Sequence, residues 1–171
     1  MQLEHVKAVV TGGVSGLGLA TVKHILANGG RAVMLDVNDD AGAAAASETG
    51  TRYIHTDVTS EEAVANALDQ ATDHMGGLNA AVNCAGIIGA GRVLGREEPM
   101  ALSFFATTIN VNLIGSFNVA KSAADRMQHN DAGADGERGI IINTASVAAY
   151  EGQIGQAAYS ASKAAVVGMT K

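Results

Sequence analysis

Residues 6–20 have the sequence VKAVVTGGVSGLGLA, a β-branched apolar run followed by four glycines within seven residues. The run from Val6 to Val10 predicts a buried strand, which Thr11-Gly12-Gly13 ends. Apolar residues at helical spacing predict a helix from Leu17 to Asn28, which Gly29-Gly30 ends. Glycines between a strand and a helix let a pyrophosphate approach the free N–H groups of the helix N-terminus. We therefore expect residues 11–18 to bind a dinucleotide, the alternative being a tight turn without a ligand.

The same alternation of strands and helices continues along the chain. Further strands are predicted at 32–35, 52–55, 79–83 and 139–144, further helices at 41–48, 59–75, 100–129 and from 156 onward, and a loop at 86–98. Strands that alternate with helices pair in parallel, and continuous apolar runs indicate a sheet covered on both faces. The sequence predicts one α/β domain over residues 1–171, a Rossmann-like doubly wound parallel sheet.

The composition excludes several classes of protein. Of 171 residues, 47% are hydrophobic and 16% charged, which excludes disorder. A net charge of −6 without a basic patch argues against nucleic-acid binding. The five histidines lack metal-ligand spacing, and no apolar run approaches the length of a membrane span. Residues 1–5 lack a basic region followed by an apolar one, so we expect no signal peptide. The single cysteine fits a reducing compartment, so we expect a cytoplasmic protein. Because the histidines lack ligand spacing, we expect no metal.

Asp36 ends the second predicted strand, 18 residues after Gly18. A carboxylate in this place accepts hydrogen bonds from both hydroxyls of an adenosine ribose and repels a 2′-phosphate. The position therefore favours NAD over NADP, the alternative being a solvated loop acid.

Tyr159 and Lys163 lie four residues apart on the last predicted helix, so both side chains share one face. A nearby ammonium stabilises a phenolate, and the phenol can then exchange a proton with an alcohol oxygen. Ser146 lies 13 residues before Tyr159, just after the fifth strand, where its hydroxyl could bind a carbonyl oxygen. The alternatives are a surface Tyr–Lys pair and a serine that caps a helix or a turn.

Two further side chains have ambiguous roles. Asn112 lies inside the long predicted helix, where a buried amide needs hydrogen-bond partners, and Asn110 is a rival position that periodicity does not separate from it. Cys84 ends the fourth predicted strand, and a small buried hydrophobic residue is the favoured interpretation there.

Taken together, these residues resemble the classical short-chain dehydrogenase/reductase family. The resemblance rests on the turn 11–18, on Asn83-Cys84-Ala85-Gly86, and on Asn112, Ser146, Tyr159 and Lys163 in the family's order and spacing. Residues 139–153 and 155–163 look like the type II 3-hydroxyacyl-CoA dehydrogenase subgroup, which also has Asn-Cys-Ala-Gly in place of the usual Asn-Asn-Ala-Gly.

The resemblance implies a role for each matching residue. Tyr159 would be the general acid/base, Lys163 would assist it and hold the nicotinamide ribose, Ser146 would orient the substrate oxygen, and Asn112 would support a water relay to Lys163. The implied cofactor contacts are Gly12, Ser15, Gly16, Leu17 and Gly18 at the pyrophosphate, Asp36 at the ribose, Asp57 and Val58 at the adenine, and Cys84, Ala85, Gly86, Tyr159 and Lys163 nearer the nicotinamide.

The implied activity is reversible hydride transfer between NAD and the 3-hydroxyl or 3-keto group of an acyl-CoA, as in fatty acid metabolism. The alternatives are another secondary alcohol or 3-oxoacyl reductase of the same family, or a truncated cofactor-binding module without catalysis. The implied partners are a small-molecule substrate and further copies of the chain, paired through the helix 100–129 and the helix that bears Tyr159.

The C-terminal end departs from the family pattern. The last predicted helix reaches Lys171 without a stop signal, so we expect the family's remaining strands to be missing and the sheet to be incomplete. The fifth strand would then expose the residues from Ile140 to Ile142 at an open edge, and the chain alone would transfer hydride from NADH to acetoacetyl-CoA poorly.

Overall fold

The computed structural model describes residues 1–171 and contains one sheet of five parallel strands. The strands are β1 (Lys7–Thr11), β2 (Arg31–Asp36), β3 (Tyr53–His55), β4 (Ala80–Asn83) and β5 (Ile140–Asn143). Their order across the sheet is β3-β2-β1-β4-β5, so the direction of winding reverses between β1 and β4. This order confirms the predicted Rossmann-like doubly wound sheet.

Seven α-helices connect and cover the strands. They are α1 (Gly16–Ala27), α2 (Asp39–Thr49), α3 (Glu61–Met75), α4 (Leu102–Ile109), α5 (Gly115–Met127), α6 (Ala148–Glu151) and α7 (Ala157–Met169). A short 3₁₀ helix, Leu3–His5, precedes β1. No helix is both long enough and apolar enough to cross a membrane.

Each face of the sheet has its own apolar core because successive strand residues point to opposite sides. On one face, Val9 and Leu35 pack with Leu68 of α3 and Val119 of α5. On the other face, Val10 and Met34 pack in a separate cluster with residues of α1 such as Val22. The central strands are thus buried on both sides, which explains their continuous apolar sequence.

The predicted helix over residues 100–129 differs from the observed structure in its middle. It consists of α4 and α5 joined by a π-helical turn, Asn110–Ile114, which carries one extra residue relative to regular helix. The short helix α6 was also not predicted, because four residues are too few to show helical periodicity.

The outer edge of β5 is open, as the sequence predicted. Ile140 and Ile142 are 46% and 47% exposed, although they lie in register with the buried residues Ala80 and Val82 of β4. Only Ile141 points to the covered face and packs against the core there. An apolar edge strand with unpaired backbone groups is a site of association between chains.

We expect the chain to self-associate through this edge, and Ile142→Lys to reduce the association because a charge on an edge strand disfavours pairing. The measurement is the mass distribution by light scattering over a range of protein concentrations. Ile154→Lys is the control, since Ile154 is 94% exposed and lies outside the sheet. An equal reduction by both variants would contradict association through the edge.

Candidate active site

The carboxyl ends of the three strands β1, β4 and β5 lie side by side. Thr11, Asn83 and Asn143 occupy equivalent register positions at these ends. The glycine turn, the segment from Cys84 to Gly86 and the segment from Thr144 to Ser146 therefore leave the sheet at the same edge. In parallel α/β sheets, this edge is where ligands bind.

The glycine turn is fixed by close backbone packing. Gly12 has a φ of +62°, and a Cβ on it would lie 2.9 Å from the backbone nitrogen of Ala85. A Cβ on Gly18 would lie 2.1 Å from the carbonyl oxygen of Gly12. Gly16, by contrast, has no neighbouring atom within 4 Å of such a Cβ, so the turn is open on that side.

The N-terminus of α1 is free to bind an anion. Ser15 makes no side-chain hydrogen bond to the helix, and the first turn contains no acidic residue. The helices α2 and α3 differ, because Asn38 and Ser60 cap them and each begins with two acids. Uncapped N–H groups at the positive end of a helix dipole suit a phosphate. Leu17 of this turn is 72% exposed.

Thr11 and Thr144 connect the strand ends, a role that the sequence analysis gave to neither of them. The Thr11 hydroxyl accepts a hydrogen bond from the Ala85 N–H at 3.1 Å, and its carbonyl accepts one from the Cys84 N–H at 3.2 Å. Cys84 is half-buried, less than expected for a core residue, and its sulfur accepts from the Thr144 hydroxyl at 3.6 Å. Only the folded strand order shows that these residues meet.

Lys163 and Tyr159 come together at this edge. Lys163 is buried, and its Nζ donates to the Thr144 carbonyl oxygen at 2.7 Å. The same Nζ lies 5.7 Å from the centroid of the half-buried Tyr159 ring. Burial lowers the pKa of Lys163, because the ammonium loses water and gains no carboxylate partner. The ammonium is therefore held close to the phenol and poorly solvated.

Of the two rival positions Asn110 and Asn112, only Asn112 is buried. Its Oδ1 accepts from the Ile87 N–H at 2.8 Å, and its Nδ2 donates to the Ile87 carbonyl oxygen at 2.9 Å and to Ser162 Oγ at 3.0 Å. Asn110 is exposed. A Cβ on Gly86 would lie 3.1 Å from Asn112 Oδ1 and 3.8 Å from Lys163 Nζ, so Gly86 lies between these two groups.

Ser162 is another residue that sequence reasoning missed. It is fully buried, accepts from Asn112 and donates to the Tyr159 carbonyl oxygen at 2.7 Å. This hydroxyl joins the π-helical turn to the helix that bears Tyr159. Its position directly before Lys163 was the only signal in the sequence.

Ser146 caps the turn that leads into α6. Its Oγ accepts a hydrogen bond from the Ala148 N–H at 3.2 Å. The capping role foreseen as an alternative is thus present. It uses the hydroxyl only as an acceptor, so the O–H proton stays available to a ligand.

The remaining predicted residues lie at the ends of β2 and β3. Asp36 is half-buried, and its Oδ1 accepts from the Asn38 N–H at 3.1 Å. Asp57 is exposed and accepts from both the backbone and the hydroxyl of Thr59. Val58 is buried in the core, where only its carbonyl has a polar contact, from Asn118 Nδ2 at 2.9 Å. The Val58 side chain therefore supports the fold, and a ligand contact there would come from its backbone.

The structure has no metal cluster at this edge, and its most prominent cavity lies elsewhere. No cluster of three His, Cys, Asp or Glu side chains is placed to hold a metal ion. A cavity of about 700 Å³ lies at the amino ends of the strands, near Lys7, Asn79 and Arg138. The side chains suited to proton transfer and substrate binding, Ser146, Tyr159 and Lys163, lie instead at the carboxyl edge of the sheet.

Comparison with known proteins finds relatives along almost the whole chain. The 3-hydroxyacyl-CoA dehydrogenase type-2 of Homo sapiens is 48% identical in an alignment of 167 positions that covers 95% of this chain and 64% of that protein. The momilactone A synthase of Oryza sativa is 37% identical over 96% of this chain and 58% of its own length. A crystal structure of 3-hydroxyacyl-CoA dehydrogenase type-2 from Mycobacterium avium superposes with a TM-score of 0.90 at 40% identity, covering 97% of this chain and 66% of that one.

The chain thus spans somewhat less than two thirds of the human relative's length. The sequence profile of the short chain dehydrogenases matches residues 6–171, which include the glycine turn, Ser146, Tyr159 and Lys163. The chain belongs to the short-chain dehydrogenase family.

Proposed function

We propose that the chain binds NAD along the carboxyl edge of its sheet and exchanges a hydride with the 3-hydroxyl or 3-keto group of an acyl-CoA. The observation that carries this proposal is the buried Lys163 ammonium, 5.7 Å from the Tyr159 ring and on the same edge as the glycine turn. The type-2 3-hydroxyacyl-CoA dehydrogenases among the relatives support the substrate class.

The residues along this edge fit a dinucleotide. The open side of Gly16 and the uncapped first turn of α1 offer space and N–H donors to a pyrophosphate. Asp36 Oδ1 is engaged by Asn38, while its other oxygen has no partner in the chain and can accept from a ribose hydroxyl. Bound NAD would supply the hydride chemistry, and the protein supplies orientation and proton transfer.

In this proposal, Tyr159 donates its phenolic proton to the carbonyl oxygen of a 3-keto substrate, or accepts it back in the reverse direction. The Lys163 ammonium stabilises the phenolate that remains, because opposite charges attract strongly where water is excluded. The Ser146 hydroxyl donates a hydrogen bond to the same substrate oxygen and keeps its proton. Asn112 donates both of its amide N–H groups, to Ile87 and Ser162, and accepts from Ile87, and it thereby holds the segment next to Gly86 and Lys163 in place.

A second candidate function is the interconversion of a different ketone and its secondary alcohol by the same residues. Relatives named momilactone A synthase and 3-alpha-(or 20-beta)-hydroxysteroid dehydrogenase, at 37% and 36% identity, favour this alternative. Assays with acetoacetyl-CoA and with a ketosteroid, each with NADH, distinguish the two. Binding of NADH without turnover of either substrate would indicate that the chain is a cofactor-binding module without catalysis.

We also propose that the protein is cytoplasmic and that copies of the chain pair with one another. The lone, half-buried Cys84 supports a reducing compartment such as the cytoplasm. Exposed apolar residues on the long helix, among them Leu102 and Phe117, support pairing between copies of the chain.

Asp36 provides the test of cofactor choice. We expect wild-type chain to bind NADH more tightly than NADPH. Asp36→Ala should weaken NADH binding by about 10- to 100-fold, because hydrogen bonds to a charged group are lost. The readout is the fluorescence of the reduced nicotinamide. Asp40→Ala removes the same charge from an exposed position in α2 and is the control. Equal binding of both dinucleotides by the wild type would contradict the proposed preference for NAD.

A further inference from the structure

A cluster of polar side chains surrounds the end of β2 next to Asp36. The Tyr53 hydroxyl lies 2.8 Å from Asp39 Oδ1 and 3.1 Å from the Asp36 carbonyl oxygen, so its single proton serves two acceptors. His55 Nδ1 lies 2.9 Å from the same Asp39 oxygen. Three elements, β2, β3 and the first turn of α2, are thereby joined at one phenol.

The Tyr53 ring is held in place by a glycine inside α2. A Cβ on Gly42 would lie 2.5 Å from the Tyr53 ring, so any other residue there would push the ring away. Glycine disfavours helix, so its presence in a helix interior needs a packing reason. The close approach of the ring supplies that reason.

The cluster adjoins Asp36, the residue expected at the ribose, and contains a second carboxylate, Asp39. Asp36 Oδ1 accepts a hydrogen bond from the Asn38 N–H, which orients the carboxylate. Its direction therefore depends on the turn from Asp36 to Asp39, and the Tyr53 hydroxyl bonds to both ends of that turn. Hydrogen bonds from Tyr53 and His55 lower the pKa of Asp39, so this second carboxylate stays ionised. Burial and the adjacent Asp39 carboxylate raise the pKa of Tyr53, so the phenol remains a donor.

We propose that Tyr53 is a positioning residue for dinucleotide recognition: it fixes Asp36 toward the adenosine ribose and holds Asp39 as a second negative charge against a 2′-phosphate. This inference rests on the proposed function, since it assigns a specificity device to the same NAD site. Tyr53 itself does not need to touch the cofactor.

The test is Tyr53→Phe, which keeps the ring against Gly42 and removes only the hydroxyl. We expect the NADH dissociation constant to rise about 3- to 10-fold, the effect of one or two lost hydrogen bonds. The NADPH dissociation constant should change by less than about 2-fold, because the phosphorylated ribose cannot make the lost contact with Asp36. The preference for NADH over NADPH therefore falls. Tyr150→Phe is the matched control, since Tyr150 is 77% exposed and makes no side-chain hydrogen bond.

A second variant separates the charge from the geometry. Asp39→Asn keeps the size of the side chain and removes the charge, so NADPH should bind about 2- to 5-fold more tightly while NADH binding stays nearly constant. If Tyr53→Phe weakens both dinucleotides equally, or neither, Tyr53 has only a structural role and the inference is wrong. If the wild type binds neither dinucleotide, the proposed function itself is refuted.

Discussion

Tyr159→Phe is expected to lower the rate of NADH oxidation by acetoacetyl-CoA about 10²- to 10⁴-fold, the usual contribution of a general acid. The phenylalanine ring fills the same half-buried place on α7 but carries no proton to give to the carbonyl oxygen. NADH binding should change little, because the turn at Gly12–Gly18 and Asp36 are untouched. Single-turnover measurements at high protein concentration give the rate, and nicotinamide fluorescence gives the binding.

The control for this experiment is again Tyr150→Phe, the same chemical change on an exposed tyrosine of α6. Its rate should equal that of the unchanged chain. A rate for Tyr159→Phe within about twofold of the wild type would show that the phenolic proton is unnecessary and would remove every catalytic role proposed above. Loss of NADH binding together with the rate would instead indicate damage to the cofactor site.

Lys163 explains why the phenol and not a histidine is proposed for proton transfer. The Thr144 carbonyl holds the buried ammonium in one place, so no side-chain entropy is spent when substrate binds. None of the five histidines lies among the residues brought to the ends of β4 and β5. The site thus depends on one cation whose position is set by the strand next to it.

Local sequence patterns predicted most of the fold, because each strand is a short apolar run between glycines or polar residues. The predicted strand 139–144 corresponds to β5 (Ile140–Asn143), and the predicted start of the third helix corresponds to the Ser60 cap of α3. The π-helical turn at Asn110–Ile114 was not predicted, because it extends over only five residues, too few to show a period of their own.

The candidate site was predictable only where the spacing along one element decides it. Tyr159 and Lys163 lie four residues apart and share a helical face wherever the helix begins, so their proximity follows from the sequence. Thr144 and Ser162 bind across elements, through a backbone carbonyl and a buried hydroxyl, and these contacts exist only after folding. For the same reason, burial and not periodicity decided between Asn110 and Asn112.

Gly18→Ala is expected to destabilise the fold by about 3 kcal/mol, the upper part of the range for overpacking. The added Cβ would lie 2.1 Å from the Gly12 carbonyl oxygen and 2.7 Å from its carbon, and backbone atoms cannot rotate away as a side chain does. Gly12 has little room to retreat, because even a Cβ built on it would lie 2.9 Å from the Ala85 backbone nitrogen. The added methyl group therefore forces α1 to move off the sheet or the turn to deform, and either change loses packing contacts.

The control is Gly168→Ala, the same substitution in another helix, where no atom lies within 4 Å of the new Cβ. This variant should be more stable by up to about 1 kcal/mol, because alanine favours helix and restricts the unfolded chain. Urea unfolding followed by circular dichroism measures both changes, which we expect to have opposite signs. If Gly18→Ala lost NADH binding at unchanged stability, the glycine would serve only the approach of the phosphate, and the tight contact with Gly12 would have no energetic role.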